Sequence, residues 1–401
     1  MNKLKIINDP IYGLIRIPFT LVYDLIEHRY FQRLRRIKQM GLTHLVYPGA
    51  VHTRFHHALG AMHITWEAIL TLRNKGVHIS DKEAQSCLAA ILLHDIGHGP
   101  FSHALEKKFI PVSHEEISLA MMEQINREMD GALDMGISMF VGDYERPFFH
   151  QLISSQLDMD RIDYLNRDSF YSGVVEGKIG YDRIIMMLHV VDEQLVVEEK
   201  AVFSVEKYLN SRSFMYSQVY LHHASLAAEC MLSMFVDSLV ISSESIRGCS
   251  PTVEYFMGLS SKSDINTTIS TELLEQYTWL DDTDIVACIK ANRECEDVVV
   301  AYLAKSLLDR RLFEIVFKKA AFEGDFLESK RHKIVSLLKC SENQAHQLIR
   351  TGIEHKPIYI PGDDEIRILK KDGDVSKLSE IIAIQARRED EMHYFCSPKH
   401  V

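Results

Sequence analysis

Apolar residues recur at helical spacing along most of the chain, and strand-like alternation is confined to short stretches. The start is extended: Asn8-Asp9-Pro10 and Gly13 mark a turn, and Leu14-Ile15-Arg16-Ile17-Pro18 reads as a short strand. From Leu21 the pattern is helical, with Phe31, Leu34, Ile37 and Met40 at three-residue spacing, until Tyr47-Pro48-Gly49-Ala50 breaks it. Helices are predicted over 56–72 and 81–96. The second takes Asp81 as N-cap, and its run Leu88-Ala89-Ala90-Ile91-Leu92-Leu93 is apolar on nearly every face, so it belongs at the centre of the fold. It ends at Gly97 and Gly99-Pro100. Further helices are predicted at 113–130, 146–168, 204–241, 270–292 and 297–320. A Val-rich alternation from Gln194 to Val205 predicts a β-ribbon turning at Glu198-Glu199-Lys200. The tail, with Ile358-Tyr359-Ile360-Pro361-Gly362, Ile366-Arg367-Ile368-Leu369 and Gly373, predicts a hairpin and one last helix. The Ser-rich stretch 242–268 reads as a surface connection, and no internal repeat is visible.

Composition narrows the class. With 401 residues, 46% hydrophobic and 25% charged, the chain can build a large core, which excludes a disordered or fibrous protein. The net charge of −11 repels phosphate backbones, so nucleic acid is not indicated as a partner, and any phosphate site must be a local basic pocket. Seven scattered cysteines, none at C-x-x-C spacing, read as reduced thiols of a cytoplasmic protein. The first nine residues hold no apolar signal core. The most hydrophobic stretch, Ser225 to Ile241, contains Glu229 and Asp237 and reads as a buried helix, so no membrane is expected.

The candidate chemistry lies in the histidines. Nine of the 20 fall between His52 and His114, where even spreading would put roughly three. His94-Asp95 ends the buried helix, and burying an imidazole and a carboxylate demands compensation. Arg54-Phe55-His56-His57 supplies further imidazoles, Asp158-Met159-Asp160-Arg161-Ile162-Asp163-Tyr164 supplies carboxylates, and His98, His103 and His114 follow closely. Two imidazoles and two carboxylates form a mixed N/O set suited to Mn, Fe, Zn or Mg with positions left open for water. Such an ion activates water and neutralises phosphoryl oxygens.

The order H…HD…D is the signature of the HD phosphohydrolase superfamily. The longer runs Arg54-Phe55-His56-His57-Ala58-Leu59-Gly60, His94-Asp95-Ile96-Gly97-His98-Gly99-Pro100-Phe101-Ser102-His103 and Asp160-Arg161-Ile162-Asp163-Tyr164-Leu165-Asn166-Arg167-Asp168 resemble its deoxynucleotide triphosphohydrolase branch. The likeness runs from about Lys5 to about Lys318, with no sterile-alpha-motif segment read before it. It implies a mainly α fold: an HD-domain helical bundle with a short β-ribbon, residues 1–325 as catalytic core and 326–401 as a small α+β lobe.

The resemblance also implies roles. His57, His94, Asp95 and Asp160 would ligate one divalent metal, with a second Mg accompanying the nucleotide phosphates. His98, His103, Glu106 and His114 would lie beside the α-phosphate as catalytic groups, although chain order does not assign base and acid among them. Arg54, Arg161 and Arg212 would grip phosphate, the branch usually having Lys at 161. Tyr164 would lie against the sugar, Asp168 would bind its 3′-hydroxyl, Tyr220 would crowd the 2′ side, and Gln39 and Met40 would also touch the sugar. Tyr216 stands where the animal enzymes have His. Lys5, Asn8, Glu27, Gln32, Arg33 and Arg35 fall where those enzymes bind an activating nucleotide between subunits, and a homodimer or homotetramer is implied.

The expected activity is hydrolysis of a dNTP to deoxynucleoside and tripolyphosphate. Two alternatives stand beside it: another HD reaction on a nucleoside monophosphate or phosphodiester, and a nucleotide-sensing or single-strand-binding module with vestigial catalysis.

Overall fold

The protein is described from a computed structural model over residues 5–242, 248–260, 269–355, 359, 362, 364–382 and 391–400. An antiparallel pair, β1 (Lys5–Asp9) and β2 (Gly13–Ile17), leads into α1 (Thr20–Glu27) and a single turn, α2 (Arg29–Gln32). The expected helical run does not continue to Met40: a 3-10 turn covers Arg33–Arg36, and Ile37 is extended. This lets Lys38 bridge Thr53, which fixes the entry to α3 (Arg54–Asn74).

α3 is buried over most of its circumference and packs against α4 (Asp81–Leu93) and α8 (Met159–Ser172). Ser80 caps α4 in a reciprocal box with Glu83, so Asp81, read as the cap, is the first helical residue. α5 (His114–Glu128) and α6 (Asp134–Val141) flank this core. The single helix predicted over 146–168 is two, α7 (Phe148–Ile153) and α8, because Asp158 accepts from Arg161 N and starts a new helix.

After α9 (Tyr181–Met186), β3 (Leu188–Val191) and β4 (Gln194–Glu198) form the ribbon. Its turn is at Asp192-Glu193, both at positive φ, and not at Glu198-Glu199-Lys200 as the alternation suggested. The predicted helix 204–241 is α10 (Val202–Met215), a π-helical turn over Tyr216–Tyr220, and α11 (His223–Ile241), with His222 capping the last. By length and composition α11 could cross a membrane, but 67% of its apolar window is buried inside the fold.

The Ser-rich connection contains α12 (Pro251–Ser260). The helix predicted over 270–292 is α13 (Thr271–Trp279) and α14 (Asp282–Ala291). α15 (Val298–Leu308) stops short of 320, and Glu314–Lys318 is strand β5. α16 (Gly324–Leu338), α17 (Glu342–Gln347), β6 (Arg350–His355), β7 (Arg367–Leu369), β8 (Val375–Lys377), the turn α18 (Leu378–Ile381) and β9 (Glu391–Ser397) complete the chain. The predicted tail hairpin is β7–β8 around Gly373; Ile358, Ile360 and Pro361 lie outside the described residues. The tail ends in a strand: β9 runs between β5 and β6, and β7 pairs in parallel with β4. Sheets therefore join strands from both sides of residue 325. Cys249 and Cys288 are disulfide-bonded, correcting the reading of all seven cysteines as thiols.

Candidate metal centre and its surroundings

α4 delivers His94 at its C-cap, and the turn that follows must bend sharply. A Cβ at Gly97 would stand 2.1 Å from the His114 carbonyl and 2.4 Å from Ser118 N. Only glycine allows α5 to come this close, and that approach brings His114 beside the His94-Asp95 turn. Arg33 clamps the same turn. Fully buried, it donates to the carbonyls of Ile96 (3.3 Å), His98 (2.7 Å) and Leu280 (3.0 Å). Arg33 is thus a structural clamp, and its expected place in a nucleotide site between subunits is corrected, because its guanidinium is buried on three carbonyls.

His57, His94 and Asp160 converge from α3, α4 and α8, with ligand atoms all within 4.8 Å of one another, a group able to hold a metal ion. His57 Nε2 lies 3.0 Å from Asp160 Oδ1 and 3.8 Å from Asp95 Oδ2; His94 Nε2 lies 3.4 Å from Asp160 and 3.4 Å from Asp95. Both Nε2 atoms are buried and make no aligned hydrogen bond. Buried polar atoms are normally satisfied, so this pair aimed among carboxylates fits a divalent cation. The opposite nitrogens are engaged: His57 Nδ1 with Asp163 at 2.7 Å, His94 Nδ1 with the Ile91 carbonyl at 2.7 Å. Such bonds fix the tautomer that turns Nε2 toward the ion.

The electrostatics agree. Burial works against charge on His57, yet the Asp160 carboxylate beside Nε2 and the Asp163 carboxylate that accepts from Nδ1 push it up to about 10. Burial likewise works to raise Asp160, but His57 and then His94 hold it well below the carboxylate range. Protons and a cation compete for these atoms, so loading is favoured by rising pH.

Beside this group, Glu106 accepts from Nδ1 of His103 (3.1 Å) and of His114 (2.8 Å), which holds its carboxyl far below the usual range. His98 stacks on His114 at 3.8 Å between ring centroids and reaches Asp95 at 3.3 Å. Burial and then Arg54 hold the His98 imidazole well below its ordinary pKa.

The three arginines expected to meet phosphate differ. Arg54 is buried and bonded to Asp95 and to Ser102 (2.9 Å), so it supports the centre from behind. Arg161 is partly exposed and spends one Nη on Asp158 at 2.7 Å. It borders a cavity of about 570 Å³ formed with residues of α7, β4 and the segment 364–367. Arg212 is buried, and its Nε has no partner.

On the opposite flank Tyr164 contacts the His57 ring at 6.4 Å and the Tyr220 ring at 6.4 Å. Tyr220 donates to Asp168 at 2.6 Å, and Tyr216 packs on Tyr220 at 5.0 Å. Gln39 Oε1 is buried without a partner, and Met40 is in the apolar core. The remaining regulatory candidates lie at or near the surface. Lys5 lies over the Tyr23 ring, Arg35 lies over Phe55 and donates to Gln32, and Asn8 and Glu27 are exposed. Two supports were not singled out as site residues by sequence reasoning, Asp163 behind His57 and His52 behind Asp168. Both sit inside the recognised runs or next to them, so proximity was their only signal.

Residues 54–165 match the HD domain family and residues 179–247 the HD associated region. The chain is 31% identical to the uncharacterized protein YwfO of Bacillus subtilis over 98% of this chain and 93% of that one. It is 31% identical to the deoxynucleoside triphosphate triphosphohydrolase SAMHD1 homolog of Dictyostelium discoideum over 57% of this chain, and spans about half (48%) of that relative's length. A phosphohydrolase crystal structure from Bacteroides thetaiotaomicron superposes with a TM-score of 0.93 at 42% identity, covering 98% of this chain and all (100%) of that one. With its imidazoles and carboxylates gathered as that family requires, the chain belongs to the HD phosphohydrolase superfamily.

Proposed function

We propose that the chain hydrolyses deoxynucleoside triphosphates to deoxynucleoside and tripolyphosphate, with His57, His94, Asp95 and Asp160 holding one divalent cation. The observation that carries the metal-dependent hydrolase is the pair of buried, unsatisfied Nε2 atoms facing the Asp160 and Asp95 carboxylates. The nucleotide class is supported by the similarity to triphosphohydrolases and by Tyr164, Asp168 and Tyr220 grouped beside the centre.

When bound, the cation supplies a Lewis acid and makes water a nucleophile near neutral pH. Arg161 and Arg212 would neutralise phosphate oxygens, and a second Mg would accompany the polyphosphate. Glu106 keeps the Nδ1 protons of His103 and His114, which leaves their Nε2 atoms to move a proton. Water adds at the α-phosphorus, the bond to the 5′-oxygen breaks, and the proton goes to that oxygen. Activation by a second nucleotide near Lys5, Asn8, Glu27, Gln32 and Arg35, and assembly into a dimer or tetramer, belong to the same reading.

Incubation with each dNTP, singly and mixed, under Mn²⁺, Fe²⁺, Zn²⁺ or Mg²⁺ tests it, with nucleoside and tripolyphosphate quantified in equal amounts as the expected result. Orthophosphate or pyrophosphate as the sole phosphate product rejects it. That outcome would favour the second reading, another HD-type reaction on a monophosphate or phosphodiester. One observation favours this alternative: Arg54 is committed to Asp95, leaving fewer cations for a polyphosphate.

A further inference from the structure

The join between α13 and α14, residues 277–282, lies outside both matched regions, yet it grips the segment that carries His98 and His103. Asp282 is buried and spends both carboxylate oxygens on backbone amides. Its Oδ1 accepts from Phe101 N at 2.7 Å and its Oδ2 from Lys38 N at 3.0 Å. Phe101 and Ser102 both stand at φ 53°, a left-handed conformation that residues with a Cβ hold only where their surroundings fix it. The 3-10 turn they enter, Ser102–Leu105, carries His103 and ends at Glu106. Ser102 Oγ ties the same two segments together: it donates to the Lys38 carbonyl at 3.3 Å and accepts from Arg54 Nε at 2.9 Å. The join makes two more contacts with this region. The Tyr277 hydroxyl donates to the Gly97 carbonyl at 3.0 Å, and the Leu280 carbonyl accepts from Arg33. Tyr277 also lines a small cavity with His98, Glu106 and His114.

We propose that Asp282 is a positioning residue for the reaction: by taking the Phe101 and Lys38 amides on one carboxylate, it fixes the left-handed turn that sets His98, His103 and Glu106 beside the metal centre. An ionised carboxylate suits this place because it only accepts, and two N–H donors converge on it. An Asn of equal size accepts from one of them and turns its own NH2 toward the other, leaving a buried donor unmet. A displacement on the order of 1 Å at a reacting group can cost about 100-fold in rate without touching the cation. The inference rests on the hydrolase reading above and adds to it a determinant of rate supplied from beyond the HD-matched segments.

Steady-state kinetics on a dNTP, bound metal and peptide-level hydrogen exchange test this on wild type, Asp282→Asn, Asp282→Ala and Arg36→Met. The last variant removes the ion pair on neighbouring Asp281 and leaves the Phe101 and Lys38 amides alone. The Asn variant is expected to lose about 10–100-fold in kcat, with KM within about twofold and metal content unchanged. Its exchange should quicken in peptides over 36–40 and 97–106 and stay the same over α8. Arg36→Met should lower the melting temperature with kcat within about twofold of wild type. An Asn variant with wild-type kcat overturns the proposal, as does a kcat loss that follows lost metal or one that Arg36→Met matches. If Asp282→Ala does not fold, the isosteric Asn variant carries the test alone under the same criteria. Wild-type protein inert toward every dNTP rejects the substrate reading; the clamp is then decided by exchange, and unaltered protection over 97–106 in the Asn variant overturns it.

Discussion

Nδ1 of His57 lies 2.7 Å from Oδ2 of Asp163, and both side chains have no exposure. Asp163 is held in turn by Arg167, which also reaches Asp9 at 2.8 Å. A candidate metal ligand thus stands on a buried charge network that joins α3, α8 and the end of β1. Burial works to raise Asp163, but Arg167 and then His57 hold it at about 2. Replacing Asp163 by Asn keeps the volume and weakens the acceptor. We expect about 10–100-fold weaker cation affinity, read by titration against a chelator, with folding largely kept. Asp163→Ala leaves Arg167 short of its main partner and should cost about 3–5 kcal/mol in chemical denaturation.

The same network depends on Gly60. A Cβ there would stand 2.0 Å from Asp163 Oδ1 and 2.2 Å from Arg167 Nη2, in a wall with no room to yield. Gly60→Ala should destabilise by about 1–3 kcal/mol or more, against the small gain that Ala normally brings to a helix, and should lower bound metal in parallel. A variant with wild-type stability and metal content would refute the tight approach of α8 to α3.

Asp95 faces the candidate cation position and also receives Arg54. Asp95→Ala should abolish turnover and retained metal together while the far-UV helical signal persists. Because Arg54 is left with Ser102 as its remaining side-chain partner, the melting temperature should fall as well. Elemental analysis and thermal scans on one preparation check both parts.

Away from the centre, burial pushes the Glu229 carboxyl up to about 7, with repulsion from Glu354 adding to it. The folded state then holds this proton more tightly than the unfolded state. Its contribution is full below the ordinary carboxylate value near 4.5 and is lost as pH rises toward about 7. Glu229→Gln, neutral at every pH, should raise the melting temperature at pH 8 by on the order of 2–4 °C and change it little at pH 4.5. An equal shift at both values would exclude the ionisation as the cause.

Much of this was legible from residue order. The apolar run before His94-Asp95 located the central helix, and clustered imidazoles with a later carboxylate helix identified the groups that converge. Breaks inside continuous apolar patterns were not legible. Tyr216–Tyr220 winds as a π turn, and 314–318 became a strand because β9 is there to pair with it. Arg33 looked like part of a basic surface because its neighbours Arg35 and Arg36 are exposed, whereas its own side chain turns inward to three carbonyls.

The sequence by itself determined which chemistry was available: imidazoles and carboxylates on helices of strong periodicity, with glycines at two turns of the path. Those signals are local, since a side chain's type and the 3.6-residue period do not depend on distant partners. The tertiary structure alone decided which of the nine clustered histidines face the cation position, which support others, and that Cys249 meets Cys288 across 39 residues. Those outcomes depend on which surfaces pack together, and burial then leaves each polar group only the partners that packing supplies.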